Sequence, residues 1–132
     1  MINVDVVVEN SQWGAKIKNP QFYLKKKLEK MHYLFPQKKI FFFSILLTNN
    51  SKMKYFNKKF RKKNEITDVL SFPFWSPKEL KKIRNKKIYL GDIALSYEII
   101  NKRSKKTNFD SEFDKMWIHG YLHLLGYHHK KN

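Results

Sequence analysis

The apolar positions in the first half of the chain follow the repeat of a strand, then that of a helix, then that of a buried strand. Valine recurs at every second position within residues 2–9, which predicts a partly exposed strand. Asn19 and Pro20 then provide a helix cap and a first helical residue, and the apolar residues that follow predict an amphipathic helix over 20–34. The nearly continuous apolar run 40–47 predicts a central strand buried on both faces.

The second half of the chain alternates short apolar segments with polar turns. This pattern predicts two strands, over 69–74 and 88–95, and two helices, over 51–60 and 97–103. In the first of these helices we expect Met53, Phe56 and Phe60 to face inward. The basic stretch 78–87 is compatible with either a short helix or a mobile loop. Residues 109–125 carry a broad apolar stripe, which predicts a helix buried on most sides.

The order of these elements, β-α-β-α-β-β-α-α, indicates the fold class. Strands that alternate with helices pair in parallel through helical crossovers, and the adjacent third and fourth strands allow an antiparallel pair. We therefore expect an α+β fold of the α/β type, in which helices pack on a small mixed four-stranded sheet. With 132 residues, of which 42% are hydrophobic, the chain is expected to form a single domain over residues 1–132.

The end of the chain concentrates its histidines, because four of the five lie in the last fourteen residues. His119 and His123 are four apart and therefore share one face of a helix. Gly126 provides a helix stop, after which the chain can turn and bring His129 toward the same point. Three imidazoles with an open fourth position form a catalytic zinc site, so we predict one zinc ion per chain. Another divalent transition metal is possible. His128 either replaces His129 as the third ligand or lies outside the ligand set and hydrogen-bonds to it.

One position in this motif bears on the kind of substrate. Helical zinc peptidases carry H-E-x-x-H, in which the glutamate is the general base, whereas this chain has Gly120 at that position. The peptidase interpretation therefore lacks its usual base, although Asp68, Asp92 and Asp114 remain open as substitutes. We expect Asp68 and Asp92 mainly to make structural hydrogen bonds.

The net charge of +17, from 28 basic and 11 acidic residues, predicts a polyanionic partner. Most of the basic residues are lysines, which indicates a compositional bias, but the electrostatic field attracts polyanions whatever its origin. Nucleic acid is the expected partner, and an anionic membrane surface is the weaker alternative. The absence of cysteine excludes disulfide-linked partners and thiolate zinc sites. We expect a cytoplasmic protein without a membrane span, because neither a leader nor a long apolar run is visible.

Three blocks of the sequence resemble the YbeY family of metal-dependent endoribonucleases. Residues 119–129 are similar to the family's H-G-x-L-H-L-x-G-Y-D-H, with His128 in place of the aspartate. Residues 57–61 and 67–73 resemble N-x-x-[FY]-R and T-D-V-L-S-F-P, and residues 90–93 match L-G-D-I. The family usually continues with a further helix, which has no counterpart in the three residues after the last histidine of this sequence.

The resemblance implies a single-strand-directed, metal-dependent endoribonuclease that acts in 16S ribosomal RNA maturation and ribosome quality control on the small subunit. It also implies that Arg61 is catalytic, and a guanidinium can bind two oxygens of a phosphate in the transition state. From the residues alone, Arg61 is equally well explained as a cation at a helix end. Lys62 and Lys63 are candidate RNA contacts. The alternatives are a basic RNA-binding assembly factor with a structural metal and a hydrolase of another phosphoester.

Overall fold

The computed structural model describes residues 1–127, which form one four-stranded sheet with helices on both faces. The strands are β1 (Ile2–Val8), β2 (Ile40–Thr48), β3 (Val69–Pro73) and β4 (Lys87–Ser96), in the spatial order β1-β2-β4-β3. β2 pairs in parallel with both β1 and β4, whereas β3 pairs antiparallel with β4. The mixed sheet and both kinds of pairing confirm the predicted fold class.

Six α-helices lie in the described part of the chain, namely α1 (Gln12–Lys16), α2 (Pro20–Leu34), α3 (Asn50–Arg61), α4 (Pro77–Lys82), α5 (Tyr97–Arg103) and α6 (Phe109–Leu124), and a short 3-10 helix, Ser104–Lys106, follows α5. The Asn19 side chain caps α2 by accepting the Phe22 N–H, as the sequence predicts. For the stretch 78–87, the sequence left open a short helix or a mobile loop, and the structure has a short helix, α4. A capping box formed by Ser76 and Glu79 begins this helix. α1 is missing from the sequence prediction, because five residues are too short to show a helical repeat. None of these helices is long and apolar enough to cross a membrane.

The sheet separates the helices into two unequal layers. On one face, α2 packs on β1 and α6 packs on β3 and β4, and they enclose a main core that includes Phe43 and Ile93. On the opposite face, α3 packs on the sheet through a smaller cluster formed by Met53, Leu70 and Ala94. The two faces follow from the alternation of side chains along each strand.

Two details of the sequence prediction are wrong. The run 40–47 is not buried on both faces. Phe42 and Ser44 lie on the α3 face of the sheet and are only half-buried. The predicted inward residue Phe60 turns its ring toward Phe72 of β3 but is not buried, because it is 57% exposed. It lies in the last turn of α3, beyond the buried contacts of Met53.

A β-bulge in β4 decides which of its residues face each layer. The register against β2 shifts by one residue between Tyr89 and Asp92, so these two residues share the face covered by α3. Leu90 and Ile93 both point into the main core beneath α6. Gly91 sits at the bulge with φ +136°, a conformation that side chains strongly disfavour.

Candidate metal centre

His119 and His123 lie on one face of α6, as their spacing predicts. Their ring centroids are 4.4 Å apart, and both side chains are half-buried. The two imidazoles are therefore close enough to approach one metal ion, and imidazole is a donor that suits zinc. The donor chemistry of this pair fits the predicted metal.

The end of α6 also follows the prediction. The Gly126 N–H donates to the His123 carbonyl and the Tyr127 N–H donates to the Leu122 carbonyl, which is the Schellman pattern. Gly126 has φ +98°, and a Cβ there would lie 3.0 Å from Pro77 Cγ. The helix therefore stops at the predicted glycine, and the turn packs against the start of α4.

The predicted third ligand, His129, and its alternative, His128, lie outside the described residues. Within residues 1–127, no set of three or more histidine, cysteine, aspartate or glutamate side chains is close enough to hold a metal ion. The described part of the chain thus contributes two imidazoles, and the three-histidine set stays a prediction.

Gly120 lets α6 approach the sheet closely beside the histidine pair. A Cβ at this position would lie 2.8 Å from Ile93 Cγ2 and 3.1 Å from Val69 Cγ2. The Ser71 hydroxyl donates to the Gly120 carbonyl at 3.0 Å and ties the same turn to β3. A glutamate at this position would clash with Ile93 and Val69, so the packing explains why a glycine stands where helical zinc peptidases carry their base.

Asp114 faces α2, where it joins the two long helices of the main layer. Its carboxylate accepts hydrogen bonds of 3.0 Å from the Tyr23 hydroxyl and the Trp117 indole N–H, and Lys27 Nζ lies 3.1 Å away. Burial, together with this carboxylate, raises the pKa of Tyr23 above its ordinary value. Asp114 is therefore engaged in packing α2 against α6.

Asp68 joins the start of β3 to the end of α5. It accepts from Arg103 Nη1 at 2.5 Å and from the Val69 N–H at 2.8 Å. Burial by itself would raise the pKa of the Asp68 carboxyl, but the Arg103 guanidinium and the Val69 amide outweigh it and lower that pKa. Arg103 Nη1 also lies 3.6 Å from Met116 Sδ, about one turn before His119. These contacts agree with the expected structural role of Asp68.

We expect Asp68→Asn to lower the free energy of unfolding near neutral pH by about 1–3 kcal/mol, because it weakens a charge-assisted hydrogen bond. The pKa of Asp68 is lowered on folding, so its stabilisation is present above the ordinary carboxyl pKa. It is lost as pH falls through the folded value. Urea unfolding should therefore show the gap to wild type closing as the pH is lowered below the ordinary carboxyl pKa. Glu29→Gln, an exposed carboxyl on α2, is the control, and a gap independent of pH would contradict the expectation.

Arg61, Lys62 and Lys63 form an exposed basic turn at the end of α3. Lys62 adopts a left-handed conformation with φ 56° and caps the helix. The helix that ends in this turn, α3, packs on the face of the sheet opposite α6, which carries the histidines. The structure places Arg61 on the accessible surface, and its contribution to catalysis stays a prediction.

Asn57 fixes the position of this basic turn, a role that the sequence analysis missed. Its side chain is fully buried, and Nδ2 donates to the Glu65 carbonyl at 3.0 Å. Its backbone carbonyl accepts from the N–H groups of Lys62 and Lys63. An asparagine on the inner face of a lysine-rich helix is the available signal, because buried polar groups are normally hydrogen-bonded.

The comparison with known proteins identifies the family. The family model described as Endoribonuclease YbeY matches residues 7–132. The chain belongs to the YbeY endoribonuclease family. Endoribonuclease YbeY of Pelagibacter ubique (strain HTCC1062) is 45% identical over 135 residues, covering 99% of this chain and 85% of the relative. Endoribonuclease YbeY of Buchnera aphidicola subsp. Acyrthosiphon pisum (strain APS) is 37% identical over 134 residues, covering 100% and 79%.

A solved structure agrees with the fold of this YbeY family member. The solution structure of TM1509 from Thermotoga maritima matches with a TM-score of 0.59 and covers 98% of this chain and 75% of that chain. Its sequence is 24% identical, so the likeness supports the fold alone. Membership of the YbeY family confirms the resemblance in the three sequence blocks, and its name denotes an enzyme that hydrolyses phosphodiester bonds within RNA.

Proposed function

We propose that this chain is a single-strand-directed, metal-dependent endoribonuclease that acts in 16S ribosomal RNA maturation and in ribosome quality control. The observation that carries the proposal is the pair His119 and His123, with rings 4.4 Å apart on one face of α6, in a member of the YbeY family. The proposed partner is the small ribosomal subunit, and the proposed compartment is the cytoplasm, where that substrate would be met.

The proposed metal is one zinc ion per chain, held by His119, His123 and His129, with another divalent transition metal as the alternative. When bound, zinc supplies Lewis-acid chemistry, which stabilises charge on phosphate oxygens and makes water acidic enough to ionise near neutral pH. The chain's own residues fix the donors, because Gly120 and Ser71 hold α6 against the sheet. A rigid helix therefore presents the two imidazoles in one orientation.

The charge of the chain supports RNA as the substrate. A net charge of +17 attracts the phosphate backbone of any RNA strand. Lys62 and Lys63 are the proposed contacts to that backbone, and Arg61 is the proposed group that binds the phosphate in the transition state. Its guanidinium can bind two phosphate oxygens at once, which suits the negative charge that develops there.

We expect Arg61→Lys to retain RNA binding and to slow cleavage by about tenfold or more, because lysine keeps the charge and loses the two-pronged geometry. Single-turnover cleavage of labelled RNA, with binding measured separately, gives the two quantities. Arg84→Lys is the matched control, because Arg84 is also exposed but lies between α4 and β4. Equal cleavage rates for Arg61→Lys and wild type would show that Arg61 acts only as a cation at the end of α3.

Chelation tests the proposed function as a whole. The full-length protein is incubated with labelled 16S-derived RNA, single-stranded or annealed to its complement, before and after removal of metal. We expect cleavage of the single strand to vanish with chelator and return with zinc. RNA binding without cleavage in the zinc-loaded sample would favour the assembly factor with a structural metal. Cleavage of a simple phosphodiester but not of RNA would favour the other hydrolase.

A further inference from the structure

A cavity of about 440 Å³ lies between α3 and the sheet, on the face opposite α6. Its volume falls in the range of about 300–1,000 Å³ that is typical of small-molecule sites. Phe56, Phe60 and Phe72 contribute aromatic walls, and Ser44 and Asp92 contribute polar groups. The histidine pair uses none of these residues, so the cavity is a separate feature of the molecule.

The aromatic wall has the properties of a stacking platform. Phe60 meets Phe72 edge-to-face, with ring centroids 5.5 Å apart, and its ring lies 6.0 Å from that of Phe56. These contacts hold the Phe60 ring in place while its side chain stays 57% exposed. Lys59 Nζ lies 5.6 Å from the Phe60 centroid, and Arg61 follows next in the chain. An aromatic ring among cations is the usual arrangement for binding single-stranded nucleic acid.

The polar end of the cavity offers a hydrogen-bond acceptor. The hydroxyls of Ser44 and Tyr89 both donate to Asp92 Oδ1, and no donor within residues 1–127 bonds to Oδ2, which can therefore accept from a ligand. Burial and the bond to Asp92 raise the pKa of Tyr89, so its hydroxyl keeps its proton at neutral pH. A carboxylate oxygen favours the exocyclic amino group of adenine, cytosine or guanine. Uracil has no exocyclic amino group, and its one donor on that edge, N3–H, lies between two carbonyl oxygens that the carboxylate repels.

We propose that this cavity binds one unpaired nucleobase that carries an exocyclic amino group, with Phe60 stacking on the base and Asp92 accepting from the amino group. The proposal rests on the proposed RNA-cleaving function and adds base selection to it. An apolar protein segment would also suit the aromatic walls. The cations beside them, Lys59 and the basic turn that begins at Arg61, complement RNA phosphates and favour an RNA strand.

Binding of short homopolymers tests the proposal without relying on turnover. Full-length, metal-loaded protein is titrated into fluorescent heptamers of cytidine or uridine with 2′-O-methyl groups that resist cleavage, and anisotropy reports affinity. We expect the cytosine strand to bind about tenfold more tightly than the uracil strand. This pair is decisive because both bases are pyrimidines. Asp92→Asn should remove most of the preference, because an amide N–H can donate to a uracil carbonyl.

Phe60→Leu provides the second variant, and Phe22→Leu is its matched control. Phe22 on α2 is 55% exposed and has Lys26 Nζ 5.3 Å from its ring, but it lies away from the cavity. We expect Phe60→Leu to weaken binding of the cytosine strand by about tenfold and Phe22→Leu to have much less effect. Equal wild-type affinity for both strands, or equal losses in the two leucine variants, would overturn the base pocket and leave the proposed nuclease standing. Failure to bind or cleave any RNA would instead remove the proposed function.

Discussion

The double variant His119→Ala with His123→Ala is expected to lose its metal and to cleave RNA at least about a thousandfold more slowly than wild type. The two rings lie 4.4 Å apart on one face of α6, so the change removes both imidazoles that the described structure brings together. His129, the one predicted ligand that remains, cannot by itself hold a catalytic metal ion at ordinary concentrations. Elemental analysis after gel filtration gives the metal content, and single-turnover cleavage gives the rate.

His32→Ala is the matched control for this loss, because His32 is the remaining histidine of residues 1–127 and lies on α2. We expect this variant to keep wild-type metal content and cleavage. Circular dichroism and urea unfolding should show that the double variant remains folded, since both histidines are only half-buried. Stoichiometric metal in the folded double variant would remove the metal centre from α6. His129→Ala tests the third predicted ligand in the same assay.

The local features of the histidine helix could be predicted from sequence, because local geometry determines them. Residues four apart meet on any α-helix, so the spacing of His119 and His123 was sufficient to place their rings together. The stop at Gly126 follows from the freedom of glycine to adopt positive φ, which the chain uses there. The strand pairing was accessible for a similar reason, because the order of elements restricts the topology.

The remaining features depend on contacts between residues far apart in the chain. Asp68 and Arg103 are 35 residues apart, and no periodicity connects them. The exposure of Phe60 depends on how far α3 extends beyond its buried cluster, and the helical repeat alone does not report that distance. The bulge beside Asp92 depends on the register against β2, so alternation along β4 could not reveal which face Asp92 occupies. The cavity became visible only once these three-dimensional relations were known.

Gly91→Ala is expected to lower the free energy of unfolding by about 3–5 kcal/mol, a large part of the 5–15 kcal/mol typical of a domain. Gly91 has φ +136°, which is a region used almost exclusively by glycine. A Cβ at Gly91 would also lie 2.3 Å from the Phe72 carbonyl oxygen and 3.0 Å from both the Phe74 nitrogen and Leu124 Cδ2. Two of these three neighbours are backbone atoms of the β3 segment, so the clash cannot be relieved by a side-chain rotation.

The strain at Gly91 is expected to reach the metal centre, because Leu124 follows His123 at the end of α6. Urea unfolding gives the loss of stability, and zinc titration of the folded fraction should show weaker binding as the last turn of α6 shifts.

Gly14→Ala is the matched control, since a Cβ at Gly14 meets nothing within 4 Å. Because alanine favours helices, that change should stabilise α1 by up to about 1 kcal/mol. An unfolding midpoint for Gly91→Ala equal to that of wild type would show that the bulge in β4 forms equally well without glycine. The face of the sheet on which Asp92 lies would then not depend on Gly91.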